Sequence, residues 1–191
     1  VHGAFPGSVE VVDDAIEVDG RKLHVGSQPD PEQLPWGELD VAVVVDGTGR
    51  FRTREGAAAH LRSGAGRVLV TAPVKGADVT IVRGVNDEML DLDRHVVVSA
   101  ASCTTNCLAP MASVLHERFG IARGWITTVH AYTNDQSVLD GPHKDLRRAR
   151  AAALAMIPTT TGAADATGLV IPDLAGRLDG IAIRVPTPNV S

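Results

Sequence analysis

Apolar residues recur along the chain in three rhythms, and each predicts a different element. Near the N-terminus, Val9–Val12 and Ala15–Val18 are short β-rich runs. Asp19-Gly20, a strong tight-turn signal, follows them and precedes Lys22–Val25, so a hairpin is predicted. Asp30-Pro31 reads as a cap with proline at the first position of a short helix that Pro35 stops. From Leu39 the rhythm changes to unbroken apolar runs: Val41–Val45, Arg67–Thr71, Thr80–Val82 and Val96–Ser99. Such runs predict strands buried on both faces. Between the first two lie the turn Asp46-Gly47-Thr48-Gly49 and a stretch of helical composition, Thr53–Leu61. Strands alternating with helices predict a parallel α/β sheet. Ligands in such sheets bind beyond the carboxyl ends of the strands. Gly47–Gly49, Thr71–Pro73 and Ser102–Cys103 all stand at such ends and are expected to converge on one crevice.

Beyond residue 102 the period becomes helical. Leu108, Met111, Ala112, Leu115 and Phe119 share one face of a helix kinked by Pro110 and ended by Gly120. Trp125–Val129 reads as a strand leading into His130. Thr133–Lys144 reads as a long loop, Leu146–Met156 as helical, and Pro158–Gly162 as a turn. Ala163–Val170 then follows, and Gly180–Val185 reads as the last strand. The buried parallel strands stop near Ala101, which is the expected domain boundary.

Composition narrows the function. The 191 residues suit one ordinary domain or two small ones. A formal net charge of −5 and 3% aromatic residues argue against nucleic acid and anionic membranes. No apolar run approaches the ~18 residues of a membrane span, and no signal-peptide pattern opens the chain. The two cysteines are four residues apart, a poor spacing for a disulfide, and no second Cys or His cluster suggests a metal site. Reduced thiols in the cytoplasm are the simplest reading.

The chemistry gathers around Ser102-Cys103-Thr104-Thr105-Asn106-Cys107, where the apolar run gives way to a helix start. A helix N-terminus favours thiolate, the nucleophilic form of cysteine. The crowd of hydroxyls there suggests an anion or oxyanion site rather than burial. Cys107, one turn further in, is expected to face the core. His130 offers a base for Cys103. Each reading has a plainer alternative. A free cysteine is often a small buried hydrophobe, and a histidine after a strand is often only a satisfied polar residue. Thr159-Thr160-Thr161-Gly162 fits an anion site or an ordinary helix cap. Arg184, in an apolar strand, either has an anionic partner such as phosphate or faces solvent. Asp46–Gly49 fits a close approach to a cofactor or any tight turn. The cluster Lys144, Arg147, Arg148, Arg150 reads as a solvated or interfacial face.

Five motifs, Ser102–Pro110, Thr127–Asn134, Pro142–Arg150, Pro158–Ala164 and Arg184–Ser191, closely resemble phosphorylating glyceraldehyde-3-phosphate dehydrogenase, and the resemblance is collinear from His2-Gly3 to Ser191. It implies an α/β fold: a partial Rossmann-like parallel sheet in residues 1–101, the C-terminal half of an NAD-binding domain. Part of an α+β catalytic domain would follow in residues 102–191. It implies Cys103 as nucleophile and His130 as base. It implies Thr133 and Arg184 at the substrate phosphate, and Ser102, Thr104, Thr161 and Gly162 at inorganic phosphate. It implies Gly47, Thr48, Gly49, Thr71 and Asn134 along the nicotinamide half of NAD. The implied substrates are a small phosphorylated aldehyde and inorganic phosphate, and the implied assembly is a cytoplasmic glycolytic homotetramer. Pro142 resembles the NAD-preferring form over the NADP one. Three features depart from the family pattern: Asp46-Gly47 before Thr-Gly, Asp165 where lysine is common, and no Gly-x-Gly-x-x-Gly anywhere. With Val1 in place of an initiator Met, the chain is expected to be an internal portion, weakly active or inactive alone. Rival readings are erythrose-4-phosphate dehydrogenase, a cofactor-free Cys/His acyl hydrolase, and a non-catalytic module that self-associates.

Overall fold

The computed structural model describes residues 3–13 and 15–190, which form three small sheets and four helices. The first sheet is an antiparallel meander of β1 (Val9–Val12), β2 (Ala15–Val18) and β3 (Arg21–His24). Asp19 and Gly20 both have positive φ, 49° and 76°, as the β2–β3 turn requires. The expected short helix is a single 3₁₀ turn, Pro31–Gln33, with the Asp30 carboxylate accepting from Glu32 N–H.

The second sheet is wholly parallel, in the order β4 (Val43–Asp46), β5 (Arg67–Val70), β7 (Val97–Ser99), β6 (Val79–Thr80). Burial on both faces holds best for the central strands: Val68, Val70 and Val97 are fully enclosed. It fails for β4, where Val43 and Val45 face outward, 47% and 62% exposed. β4 is an edge strand, and only Val44 and Asp46 point inward. The helical stretch after the Gly-rich turn is two short helices, α1 (Arg54–Ala57) and α2 (Ala59–Arg62). Ala57 packs with Val68, Val70, Val74 and Val97 in the main core.

The third sheet sets β10 (Leu178–Val185) between a parallel β8 (Gly124–Ala131) and an antiparallel β9 (Ile157–Thr160). Three expectations are corrected here. His130 lies within β8, not beyond it. Pro158–Thr160 belong to a strand, leaving only Thr161-Gly162 as the turn; β9 is an edge, where proline costs no ladder bond. The expected helix Leu146–Met156 is only a 3₁₀ turn, Leu146–Ala149. Its backbone groups are claimed from outside: Ala151 N–H donates to the Asp140 carboxylate, Ala152 N–H to Ser137 O, and Ala149 O accepts from Gly141 N–H.

α3 (Cys103–Phe119) runs through Pro110 and stops at Gly120, φ 71°. Its buried stripe is Thr105, Ala109 and Ala112, not the large apolar residues. Met111, Leu115 and Phe119 are 55%, 51% and 83% exposed. Small side chains let the helix come close to α4 (Ala163–Val170), and Ala109 meets Val170, Val82 and Ala101 in a second core. Cys107 lies about 200° around the helix from Thr105, and it is exposed, contrary to the expected core position.

Asp78 stitches α1 to the sheet. Its Oδ2 accepts from Val96 and Val97 N–H at 2.9 and 2.8 Å, and its Oδ1 from Arg54 Nε at 2.7 Å. Burial alone would push this carboxyl up, but the Arg54 bond and the two backbone bonds outweigh it and hold it below the usual carboxylate range. A carboxyl lower in the folded than the unfolded state stabilises the fold above the unfolded value and ceases to as pH falls through the folded one. Asp78→Asn is therefore expected to cost about 1–3 kcal/mol near neutral pH. It should also flatten the loss of stability below about pH 4. Urea midpoints across that range check it, and parallel acid limbs in the two proteins would contradict it.

Candidate active site

The main chain turns sharply before α3. Ala101 is 3% exposed and holds φ at 58°, a left-handed value that places Ser102 as helix cap and Cys103 at the first helical position. Ser102 Oγ accepts from Thr105 N–H at 3.0 Å and lies 2.7 Å from Thr105 Oγ1. Asn106 Nδ2 donates back to Ala100 O and Ser102 O at 2.8 and 2.9 Å. Thr105 and Asn106 thus brace the helix start. Of the hydroxyls expected to greet an anion, only Ser102 and Thr104 reach the cavity in front of Cys103.

That sulfur is not walled off. Cys103 is exposed, and its Sγ lies 3.2 Å from His130 Nε2 across 27 residues of sequence. The imidazole is buried, 8% exposed, with Nδ1 2.7 Å from Ala131 O. At that separation a proton must sit between Nδ1 and the carbonyl. In the neutral ring, Nε2 then carries the lone pair that accepts the thiol proton.

β8 and β10 place Arg184 directly beside His130. Arg184 Nη1 donates to Ala131 O at 3.1 Å and lies 2.9 Å from His130 Nδ1. Since Nδ1 is already a donor, we assign the carbonyl as the acceptor of the guanidinium. Burial pushes Arg184 below its ordinary value, the charge of Arg148 adds to that, and Cys103 opposes it. The group therefore sits where an added anion stabilises it. β10 is the central strand of its sheet rather than an edge, and Arg184 is half-buried on it.

The cavity, about 530 Å³, is lined by four cationic side chains, Arg52, Lys144, Arg148 and Arg184, against the single carboxylate of Asp135. Thr133, Thr160, Thr161 and Gly162 complete the polar wall, where α4 begins. The N-termini of α3 and α4 both open into it. This arrangement can hold anions beside a thiol paired with a base.

Arg148 departs from the solvated alternative in the reading of the basic cluster as a solvated or interfacial face. Its side chain is only 19% exposed, it pairs with Asp135, and it donates to Thr159 Oγ1 at 3.0 and 2.8 Å. Arg147 and Arg150 keep to exposed pairs with Asp145 and Asp140. Arg52 and Asp135 also line the cavity and carried no sequence signal, since neither lies in a periodic or Gly-rich context.

The family model for the glyceraldehyde 3-phosphate dehydrogenase C-terminal domain matches residues 102–191, and that for the NAD binding domain of the same family matches residues 1–54. The chain belongs to the glyceraldehyde-3-phosphate dehydrogenase family. It is 59% identical over 191 residues to the glyceraldehyde-3-phosphate dehydrogenase of Geobacillus stearothermophilus, covering 100% of this chain and 57% of that protein. It is 60% identical over 191 residues to that of Cereibacter sphaeroides, covering 100% of the chain and 56% of the relative. For Streptomyces coelicolor the identity is 57% over 189 residues, covering 99% and 56%. The chain thus spans a little over half the length of these relatives.

Of the residues that the dehydrogenase resemblance assigns to the nicotinamide, Gly47, Thr48, Gly49 and Thr71 gather at the ends of β4 and β5, outside the wall of the cavity. Thr71 N–H and Oγ1 both donate to Asp46 O, at 3.0 and 3.3 Å, clasping the ends of β5 and β4. Gly47 is open: a Cβ there meets only Thr71 Oγ1, at 3.8 Å. Thr48 is pinned to Asp46, and Gly49 has φ 69°. Asn134 is exposed and outside the cavity lining. Of the segments expected to converge on one crevice, Pro73, Ser102 and Cys103 line the cavity, whereas Gly47, Thr48, Gly49 and Thr71 do not. Pro73 and Arg52 reach the cavity from this side, and Arg52 Nε donates to Gly49 O at 3.0 Å. Among the described residues, no helix is long and apolar enough to cross a membrane.

Proposed function

We propose that this protein carries out the NAD-dependent oxidative phosphorylation of glyceraldehyde 3-phosphate, with residues 1–101 serving cofactor binding and 102–191 the covalent chemistry. The observation that carries this is the Cys103 Sγ–His130 Nε2 contact of 3.2 Å at the mouth of a cationic cavity. Cys103 adds to the aldehyde carbon, giving a thiohemiacetal, while Nε2 of His130 takes the thiol proton. His130 Nε2–H then gives that proton to the alkoxide oxygen of the hemiacetal, and takes it back as the carbon is oxidised to a thioester on Cys103. NAD supplies the hydride acceptor for that oxidation. Inorganic phosphate held by Ser102, Thr104, Thr161 and Gly162 attacks the thioester, releasing the acyl phosphate and restoring the thiol. Arg184 and Thr133 hold the substrate's own phosphate, and two anion sites account for the number of cations around one sulfur.

The strand-end cluster fits the nicotinamide half of the cofactor. The open space at Gly47 supports room for a flat ring there, and the resemblance assigns Thr48, Gly49, Thr71 and Asn134 to the same half of NAD. A cytoplasmic homotetramer is part of the same proposal, supported by the resemblance to the family. The test is phosphate-dependent NADH formation, with mass spectrometry for an acyl adduct on Cys103 when phosphate is withheld. Neither signal from the protein would overturn the reading. NADH formed at equal rates without phosphate would favour a different acyl acceptor.

Arg184→Gln is expected to raise the KM for the phosphorylated aldehyde about 10- to 100-fold, since a charge-assisted pair contributes about 1.5–3 kcal/mol. Steady-state kinetics against an unphosphorylated aldehyde supplies the control, because that KM should barely move.

A further inference from the structure

Two buried ionisable side chains take no part in the chemistry above. Asp46, on β4, is 3% exposed, and His60, on α2, is 5% exposed. Asp46 Oδ1 accepts from Thr48 N–H at 2.8 Å and Thr48 Oγ1 at 2.7 Å, while Oδ2 is buried without a partner. His60 Nδ1 accepts from the indole N–H of Trp36 at 3.0 Å, so the neutral ring carries its proton on Nε2. That Nε2 is also buried without a partner. Trp36 and Phe51 enclose the ring, with centroids 6.2 and 5.7 Å away. Burial pushes the imidazole below its ordinary value, and the charge of Asp46 opposes that.

Asp46 stands in register with Val70, Phe51 packs against the core that holds Val70, and Phe51 in turn meets the His60 ring, so one orphaned donor and one orphaned acceptor lie against the same part of the core and call for a common explanation. We propose that His60 and Asp46 form a buried imidazole–carboxylate couple, closed through one internal water between Nε2–H and Oδ2, that positions the Gly47–Gly49 turn. Such waters answer otherwise unsatisfied polar groups in protein interiors. The connection to the catalytic cavity is continuous. Asp46 fixes Thr48, Thr48 Oγ1 accepts from Arg50 N–H at 3.2 Å, and Arg52 Nε reaches from the cavity to Gly49 O. Both members are positioning residues, since neither lines the cavity. The cofactor part of this inference rests on the function proposed above; the couple itself does not.

The test compares Asp46→Asn, His60→Leu, their double variant and His60→Gln, which keeps one donor and one acceptor but does not titrate. In the unmodified protein, long-range proton–nitrogen correlation spectra are expected to give a neutral His60 with its proton on Nε2 at neutral pH. An imidazolium or an Nδ1–H ring overturns the couple. Urea midpoints of the double variant should fall no further than those of the weaker single variant, whereas additive losses overturn it. The amide resonances of Gly47, Thr48 and Gly49 should move in His60→Leu and return in His60→Gln. If they stay fixed, the turn is not positioned this way. The KM for NAD should rise about fivefold in His60→Leu, with kcat little changed, and an unchanged KM removes the link to cofactor binding. Should the unmodified protein fail to reduce NAD, the proposed function falls while the spectra and midpoints still decide the couple.

Discussion

Cys103→Ser is expected to lower phosphate-dependent NADH formation by about a thousandfold or more, with the fold intact. The hydroxyl would occupy the same helix start and face the same Nε2, so the loss isolates the sulfur. Two physical differences produce it. A hydroxyl beside an imidazole is far less readily ionised than a thiol, so addition to the aldehyde slows. An ester on serine also yields to phosphate less readily than a thioester, so release slows as well. The structure supplies an internal control that needs no turnover. Cys103 and Cys107 are both exposed on one helix, and only Cys103 has an imidazole at 3.2 Å. Iodoacetamide should therefore label Cys103 well before Cys107 in the unmodified protein, and should find only the slow site in the variant. Activity retained within about tenfold, or equal labelling of the two thiols, would remove Cys103 as the nucleophile.

What the sequence disclosed about this fold follows from which forces act locally. The Asp19-Gly20 turn was legible because its positive φ values restrict residue type at the turn itself. The parallel strands were legible because enclosure demands apolar side chains without a break, although β4, at the edge, carries the same run with half of it uncovered. The face of α3 was misread in part: Ala112 is buried as expected, but hydrophobicity ranks Met111, Leu115 and Phe119 above Ala109. Close helix–helix approach selects size instead. Leu146–Met156 was misread because its alanine-rich composition favours a helix. The carboxylate of Asp140 and the carbonyl of Ser137, from a neighbouring loop, take the backbone donors first.

The site divides in the same way. Cys103 and Ser102 announced themselves through a strand-to-helix switch crowded with hydroxyls, a local pattern. Arg184 gave half its signal, a cation in an apolar strand; the other half, His130 in register beside it, depends on β8 and β10 pairing in parallel. Arg148 gave none, since its neighbours Arg147 and Arg150 are solvated and only the 3₁₀ turn separates its fate from theirs. Motif likeness reached further than local physics, because a long motif carries tertiary placement that no single spacing does.

His130→Asn is expected to slow both NADH formation and alkylation of Cys103, the former by about 10²- to 10⁴-fold. Asparagine is chosen because its amide N–H can still donate to Ala131 O, where Nδ1 sits at 2.7 Å, so the backbone and Arg184 keep their partner. What disappears is the acceptor at the Nε2 position, 3.2 Å from the sulfur. The thiol then has no base within reach. Among the other groups lining the cavity, Arg52, Lys144, Arg148 and Arg184 are cations and cannot accept a proton, and Asp135 is paired with Arg148. Substrate binding should change little, because Arg184 and the hydroxyls of the cavity remain. The loss should therefore fall on kcat, with the aldehyde KM nearly constant, the reverse of the pattern expected for Arg184→Gln. If KM rises and kcat holds, His130 is a binding residue and the proton must leave Cys103 by another route. If alkylation of Cys103 is as fast in the variant as in the unmodified protein, the helix N-terminus alone is enough to activate the sulfur, and the imidazole acts only after the first covalent bond has formed.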